Sequence, residues 1–263
     1  MRLTVVGCSG SVPGPDAAAS CYLVTAHDGG RTWRVLLDLG PGALGPLQRH
    51  TDPLDLDAVL LTHLHPDHCL DLTGLAVLRR HGPTPARTDL PVWGPPGVAE
   101  RMARAYGVRR AEPPPGLAFD ELVDRSPLRI GPLTVTPYAV AHSVPAFGLR
   151  VACGEEVLAY TGDTDSCAAL RPLLGGAGLA LVEAGFTAEE QGRGIHLTPR
   201  RPAEAVAGAG GVGRLLLTHL PPWADPEQAA REAGERWPGR VDVARPGQRW
   251  EVRAGECGAD AGG

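Results

Sequence analysis

The chain has 263 residues, of which 43% are apolar, and a formal net charge of −5. This composition favours one globular domain with a sizeable core, and without a membrane-length apolar run or signal peptide we expect a cytoplasmic protein. All 25 basic residues are Arg, and they form no basic stripe along the sequence, which disfavours nucleic acid as a partner. The six Cys residues include no CxxC pair, so the sequence indicates neither a disulfide framework nor a Cys-rich zinc site.

The first half of the chain reads as apolar strands followed by helices. Runs rich in Val, Leu and Ile, bounded by Gly, Pro and Asp turns, predict strands near 2–7, 20–26, 33–38 and 57–61. Apolar residues at helical spacing predict helices over 71–80 and 97–106, with a short strand over 90–93 between Pro-rich loops.

The second half repeats this alternation. Its predicted strands lie near 128–137, 147–152, 156–160, 179–183, 213–218, 240–244 and 249–253. Its predicted helices lie near 167–175, 199–209 and 226–236. Because strands alternate with helices in both halves, we expect an α/β fold in which helices cover the outer faces of sheets.

A dense group of ionisable side chains follows the fourth predicted strand. The run Thr62-His63-Leu64-His65-Pro66-Asp67-His68 places three imidazoles and a carboxylate within six residues. Burying such groups without a cation would be costly, and imidazole with carboxylate is the ligand set of catalytic zinc. The run therefore predicts a hydrolytic site with two metal ions, which could clamp the attacking and departing oxygens of a displacement.

Three further ligand candidates each follow a predicted strand: His142, Asp163 and His219. A single His after a strand is more often a surface or hydrogen-bonded residue, so their weight comes from the combination with the first group. The first predicted metal ion has the ligands His63, His65 and His142. The second has the ligands Asp67, His68 and His219, and Asp163 bridges the two.

These elements, in this order, resemble the metallo-β-lactamase superfamily over nearly the whole chain. Three parts of the chain resemble its ribonuclease Z-like branch: the opening Gly7-Cys8-Ser9-Gly10-Ser11-Val12-Pro13 with Ser20, the pair Glu183-Ala184, and His196-Leu197-Thr198. The resemblance implies the four-layer αββα sandwich of the metallo-β-lactamase fold. We expect one domain over residues 1–255 and a disordered C-terminal tail over 256–263.

The same resemblance implies catalytic roles beside the metals. In the ribonuclease Z-like branch a Glu and a His form a pair there, which implies His196 as general acid and Glu183 as the residue that orients it. Asp67 is expected to aim the attacking water as well as to bind metal.

Four stretches resemble actinobacterial cyclic-nucleotide phosphodiesterases of this fold: residues 7–20, 40–53, 62–75 and 215–223. This resemblance implies a phosphodiesterase in which a metal-bridging hydroxide attacks 3′,5′-cyclic AMP to give 5′-AMP.

Other functions stay open at this point. The same metals could hydrolyse a lactone, thioester or lactam, and a ribonuclease Z-like tRNA 3′ endonuclease is a further alternative. Ribonuclease Z usually inserts a tRNA-gripping arm between its third and fourth motifs, whereas 20 residues separate His142 from Asp163 here. Asp71 also stands where that enzyme commonly has Gly. A metal-stabilised binding protein is the noncatalytic alternative.

The remaining expectations concern ligands and assembly. Ser11 is a candidate phosphate contact, and Phe147 and Trp223 are candidates for stacking on a nucleobase, although simple packing explains such aromatics equally well. Asp38 either braces a ligand His or forms a turn. The expected cofactors are two divalent ions, with zinc first and manganese or iron as alternatives. The expected partner is a small cyclic nucleotide, nucleic acid is disfavoured and no membrane partner is expected. The oligomeric state stays open, with a homodimer as one possibility because dimers are the commonest assembly.

Overall fold

Two seven-stranded sheets form the centre of the computed structural model, which describes residues 1–84, 88–107, 114–187 and 194–254. In chain order the strands are β1 (Arg2–Gly7), β2 (Cys21–Asp28), β3 (Arg31–Leu37), β4 (Ala58–Leu60), β5 (Leu90–Gly94), β6 (Leu117–Glu121), β7 (Leu128–Ile130), β8 (Leu133–Ala139), β9 (Phe147–Cys153), β10 (Glu156–Tyr160), β11 (Leu179–Glu183), β12 (Leu215–Thr218), β13 (Val241–Val243) and β14 (Arg249–Glu251).

The helices fall between these strands. They are α1 (Leu44–Leu47), α2 (Pro66–Cys69), α3 (Leu72–His81), α4 (Val98–Tyr106), α5 (Leu170–Leu174), α6 (Arg200–Gly208) and α7 (Pro226–Gly234), and a 3-10 turn covers Pro53–Asp55. No helix in the described ranges is long and apolar enough to cross a membrane.

Each half of the chain supplies most of one sheet. The first sheet has the order β14-β1-β2-β3-β4-β5-β6, and the second has the order β13-β12-β11-β10-β9-β8-β7. Strands β3 to β6 run parallel in the first sheet, as do β10 to β13 in the second. The carboxyl ends of parallel strands meet at one edge of a sheet, so residues that follow them are brought together.

Three apolar clusters hold together four layers, which are two sheets with helices on their outer faces. One lies between the sheets and joins side chains such as Val35 of β3 and Leu149 of β9. A second packs the other face of the first sheet against α3 and α4, and a third packs the second sheet against α5, α6 and α7. The αββα sandwich expected from the sequence is therefore confirmed.

Some predicted elements differ from those observed. The strand predicted over 128–137 is a hairpin, β7 and β8, because Gly131 turns the chain with a φ of 57°. Strand β6 was not predicted, since only Leu117 of its five residues is buried and no apolar alternation marks it. The helix predicted over 167–175 is limited to α5. The tail over 256–263 lies outside the described residues.

Candidate metal centre

Ligand candidates from both halves of the chain meet where the two sheets adjoin. His63 and His65 follow β4, Asp163 follows β10 and His219 follows β12 directly, so each is placed by the buried end of a strand. Asp67 and His68 lie on the short helix α2, which begins at Pro66. Proline lacks a backbone N–H, but in the first turn of a helix that N–H would have no partner within the helix, so its absence is not destabilising. The seven predicted ligands thus converge from five chain segments.

The first cluster contains His63, His65, His142 and Asp163, whose ligand atoms lie within 4.8 Å of one another. His65 Nδ1 is 3.1 Å from His63 Nε2 and 3.1 Å from His142 Nε2. Asp163 Oδ2 is 3.5 Å from His63 Nε2. These nitrogens and this oxygen face a common point, as ligands of one ion must.

The second cluster contains Asp67, His68, Asp163 and His219. Asp163 Oδ1 is 3.2 Å from His68 Nε2 and 3.2 Å from His219 Nδ1. Asp67 Oδ2 is 3.4 Å from His68 Nε2 and 3.2 Å from His219 Nε2. Asp163 belongs to both clusters and turns one oxygen toward each, which is the arrangement predicted for a bridging carboxylate.

Unpartnered atoms at the centre fit a cation. His68 Nε2, Asp163 Oδ1 and His219 Nδ1 are buried and make no hydrogen bond in the described part of the chain. Buried polar atoms normally have partners, and leaving them without one is costly. The donor set of imidazole and carboxylate suits zinc, and manganese and iron accept it as well. The clusters therefore fit divalent metal ions.

Asp38 fixes the orientation of His68. It lies at 0% exposure directly after β3, with a φ of 59°, a conformation that Asp tolerates better than most residues. His68 Nδ1 lies 2.8 Å from Asp38 Oδ2, so Nδ1 carries the proton and Nε2 is left free to bind metal. Thr62 donates its backbone N–H and its hydroxyl to the same carboxylate, and the Tyr160 hydroxyl donates at 2.7 Å. This is the bracing role considered for Asp38.

Two more histidines have their outward nitrogens occupied. His142 Nδ1 lies 2.8 Å from the Ile195 carbonyl oxygen and donates to it. His63 Nδ1 lies 3.1 Å from the Thr62 hydroxyl, which already donates to Asp38 and therefore accepts here. In both rings Nε2 is left for the centre of the cluster, as in metal-ligating histidines generally.

His196 and Glu183 form the pair expected beside the metals. His196 Nδ1 lies 3.0 Å from Glu183 Oε1 and 3.9 Å from Asp163 Oδ2. Glu183 is fully buried at the end of β11, where it also accepts hydrogen bonds from the backbone N–H groups of Thr164, Gly185 and Leu197. A carboxylate held by four donors is rigid, so it orients the imidazole.

Charges in the centre shift the pKa values of its histidines. Burial opposes protonation of His196, but the hydrogen bond and the charge of Glu183 outweigh it and raise the pKa of His196 above its ordinary value. Burial together with the neighbouring His68 lowers the pKa of His63 well below its ordinary value. Neutral imidazole is the form that binds metal.

The three predicted substrate contacts, Ser11, Trp223 and Phe147, differ in how close they lie to the clusters and in how exposed they are. The Ser11 backbone N–H lies 3.1 Å from His219 Nε2, so the first loop reaches the second cluster. Trp223 is 67% exposed and lines a cavity together with Phe186, whose ring contacts His196. Phe147 is 7% exposed and packs in the core between the sheets, which leaves little of its ring for stacking on a nucleobase.

Sequence reasoning missed three residues that build the centre. Tyr160 and Thr62 hold Asp38, and both sit at the ends of predicted strands, where a polar side chain after an apolar run could have been noticed. Phe186 packs its ring against His196 with a centroid distance of 5.1 Å. It lies three residues after Glu183, and that proximity was its signal in the sequence.

A family model described as "Beta-lactamase superfamily domain" matches residues 33–220. An uncharacterized protein of Mycobacterium leprae is 40% identical over 261 residues, covering 97% of this chain and 90% of that protein. A ribonuclease Z of Mycobacterium sp. (strain KMS) is 32% identical over 297 residues, covering 100% of both.

A solved structure shares the fold closely. The crystal structure of the metallo-β-lactamase fold protein YhfI from Bacillus subtilis superposes with a TM-score of 0.84 at 28% identity, covering 95% of this chain and 98% of that one. The curated sequence of that protein carries the name "Probable metallo-hydrolase YhfI".

Proposed function

The chain belongs to the metallo-β-lactamase superfamily and is a metal-dependent hydrolase, and from that premise we propose that it hydrolyses a small phosphodiester, 3′,5′-cyclic AMP, to 5′-AMP. One observation carries this proposal: the His196–Glu183 pair stands beside the two clusters, and the second imidazole nitrogen of His196 makes no hydrogen bond to the residues that the structure describes. An alkoxide leaving group needs a proton at the moment the bond breaks, and a dedicated acid supplies it.

The geometry of the pair supports the role of acid. Glu183 holds Nδ1 of His196, which leaves Nε2 as the nitrogen that can release a proton into the site. The hydrogen bond and the charge of Glu183 favour the protonated form of the His196 ring, which is the form that an acid needs. We propose Glu183 as the positioning residue of this acid.

The roles of the other residues follow from their placement. When bound, the two divalent ions would hold the phosphate and lower the pKa of the attacking water. Asp67 turns Oδ2 toward His68 and His219, which leaves Oδ1 to accept a hydrogen bond from that water and aim it. The water gives up a proton to solvent as its oxygen bonds to phosphorus, the bond from phosphorus to O3′ breaks, and O3′ takes a proton from His196 Nε2, which solvent then reprotonates.

The relatives support phosphodiester chemistry without deciding the substrate. The ribonuclease Z that is 32% identical acts, by its name, on RNA, whose backbone is a phosphodiester. In this chain strands β9 and β10 occupy most of the segment between His142 and Asp163, which leaves no room there for an inserted arm. The net charge of −5 also disfavours a polyanion. A small phosphodiester is consistent with both features.

A substrate panel tests the proposal. Metal-loaded protein is given cyclic AMP, bis(p-nitrophenyl) phosphate, a precursor tRNA and a chromogenic cephalosporin, and initial rates are compared. We expect turnover of the first two. Cleavage of the cephalosporin alone would replace the proposal with acyl hydrolysis, and cleavage of the tRNA alone would replace it with endonuclease activity.

A further inference from the structure

Asp165 is a buried carboxylate that follows the bridging ligand Asp163 by two residues and takes no direct part in either ligand cluster. Its side chain is 10% exposed. Asp165 Oδ2 accepts a hydrogen bond from the Gly194 backbone N–H at 2.6 Å, and Asp165 Oδ1 accepts one from Arg201 Nη1 at 2.8 Å. The carboxylate therefore ties the chain after β10 both to α6 and to the segment that leads into His196.

That segment, residues 194–196, carries two groups that the metal centre uses. The Ile195 carbonyl oxygen accepts the hydrogen bond from His142 Nδ1 at 2.8 Å, and His196 is the proposed acid. Gly194 is exposed and Ile195 is 38% exposed, so little apolar burial fixes the start of the segment. Its position there depends on hydrogen bonds.

Hydrogen bonds hold the backbone on both sides of His196. On the far side, the N–H of the fully buried Leu197 donates to Glu183 Oε2 at 3.2 Å, and the Phe186 N–H donates to the Leu197 carbonyl oxygen at 3.1 Å. On the near side, Gly194 is held by Asp165. Loss of the Asp165 carboxylate would leave Leu197 in place and release the chain ahead of the imidazole.

We propose that Asp165 is a positioning residue for the acid His196. Glu183 holds Nδ1 of the ring, and Asp165 holds the backbone from which the ring projects. The charge of Arg201 strengthens this anchor, because hydrogen bonds between charged groups are shorter and stronger than neutral ones. The inference rests on the proposed function, in which His196 protonates the leaving oxygen.

Two substrates with different leaving groups test this role. Cyclic AMP releases an alkoxide that needs a proton, whereas bis(p-nitrophenyl) phosphate releases p-nitrophenolate, a weak base that departs without one. At saturating zinc, Asp165→Ala should lower kcat on cyclic AMP by about 10- to 100-fold, since small displacements of a catalytic group are costly. It should leave kcat on bis(p-nitrophenyl) phosphate close to that of the wild-type protein. Loss of metal or of folding would lower both rates together.

Asp57→Ala is the control for Asp165→Ala. The Asp57 side chain is also 10% exposed, and it also accepts one backbone N–H, from Arg34 at 2.7 Å, and a guanidinium hydrogen bond, from Arg31. It precedes β4, whose other end leads to His63. Asp57→Ala should therefore keep the wild-type ratio of the two rates.

Asp165→Asn gives a milder form of the same test. It keeps the size of the side chain and one acceptor oxygen for the Gly194 N–H, but it loses the charge that pairs with Arg201. Its ratio of kcat on cyclic AMP to kcat on bis(p-nitrophenyl) phosphate should lie between those of the wild-type protein and Asp165→Ala. Thermal unfolding of each variant checks that it folds, and a wild-type ratio in Asp165→Asn and Asp165→Ala would contradict the inference.

A double variant tests whether Asp165 acts through His196. Once the acid is absent, displacing its backbone has no further effect on proton transfer. Adding Asp165→Ala to His196→Ala should therefore leave kcat on cyclic AMP unchanged from that of His196→Ala alone. The inference is overturned if the two losses multiply, or if Asp165→Ala slows both substrates equally.

The failure of this inference differs from the failure of the proposed function. Hydrolysis of cyclic AMP by the wild-type protein, with no change when Asp165 is replaced, would overturn the positioning role alone. Absence of hydrolysis of cyclic AMP by the metal-loaded wild-type protein would overturn both.

Discussion

Asp163 is the side chain on which both ligand clusters depend. Its two oxygens face different histidines, at 3.2 Å and 3.5 Å, and it is almost fully buried. Burial raises the pKa of a carboxyl group, yet the nearby His219, His68 and His63 outweigh it and hold the pKa of Asp163 well below its ordinary value. Asp163 is therefore ionised at neutral pH, as a metal ligand must be.

Removal of the proposed acid should slow chemistry without emptying the metal centre. We expect His196→Ala to lower kcat on cyclic AMP by about 10²- to 10⁴-fold. The His196 ring touches Asp163 only at 3.9 Å, so metal content should stay at the wild-type level. Steady-state kinetics with metal analysis of the same sample measures both, and wild-type turnover in the variant would reject the role.

Loss of the Asp38 charge should weaken metal binding. Asp38→Asn keeps the size of the side chain and tolerates the positive φ, but it no longer offers His68 a charged acceptor. We expect zinc affinity to fall by about 10- to 100-fold. Competition with a chromophoric chelator measures that affinity.

Asp57→Asn is the matched control for Asp38→Asn. Asp57 also accepts a backbone N–H, from Arg34 at 2.7 Å, but it does not contact a ligand residue. If Asp38→Asn binds zinc as tightly as this control, Asp38 does not support the centre.

The loop after β1 contributes to the centre through its backbone. Gly10 donates its N–H to the Leu220 carbonyl oxygen at 2.9 Å, and its α-carbon packs against the backbone of His219 at the end of β12. A Cβ at this position would overlap the His219 carbonyl group, so only Gly fits. The approach of these two segments thus sets where His219 stands.

Gly10→Ala should therefore disturb the second cluster. We expect it to reduce zinc content and turnover by at least about 10-fold, because ligand geometry tolerates shifts of only about half an ångström. Gly45→Ala, in α1, serves as the control since a Cβ there meets no atom within 4 Å. Zinc content is measured in both purified proteins, and equal content would contradict the assigned role of the loop.

Much of the molecule could be predicted because its strands are apolar runs that end at polar residues. All five residues of β11 are buried, and its last residue is Glu183, so both the strand and the position of a functional carboxylate are visible in the sequence. Strand β6 has one buried residue in five and carries no such pattern. The sequence could not tell that Phe186 contacts the site while Phe147 packs in the core, because which aromatic ring faces the site depends on packing between the sheets.

Metal and fold should be thermodynamically coupled. The centre joins both sheets. Without a cation, its buried atoms His68 Nε2, Asp163 Oδ1 and His219 Nδ1 have no hydrogen-bond partner among the described residues. A chelator should therefore lower the unfolding temperature by roughly 5–10 °C at metal concentrations near 100 times Kd. Differential scanning fluorimetry with and without chelator measures the shift, and identical midpoints would show that the clusters do not bind metal.

The most direct test of the two-metal phosphodiesterase is a titration of metal-free protein with zinc, in which 5′-AMP formed from cyclic AMP is quantified at each step. The two clusters predict that activity rises until about two equivalents per chain are bound and then stays level. Formation of 5′-AMP without added metal, or none after both equivalents are bound, would contradict the account.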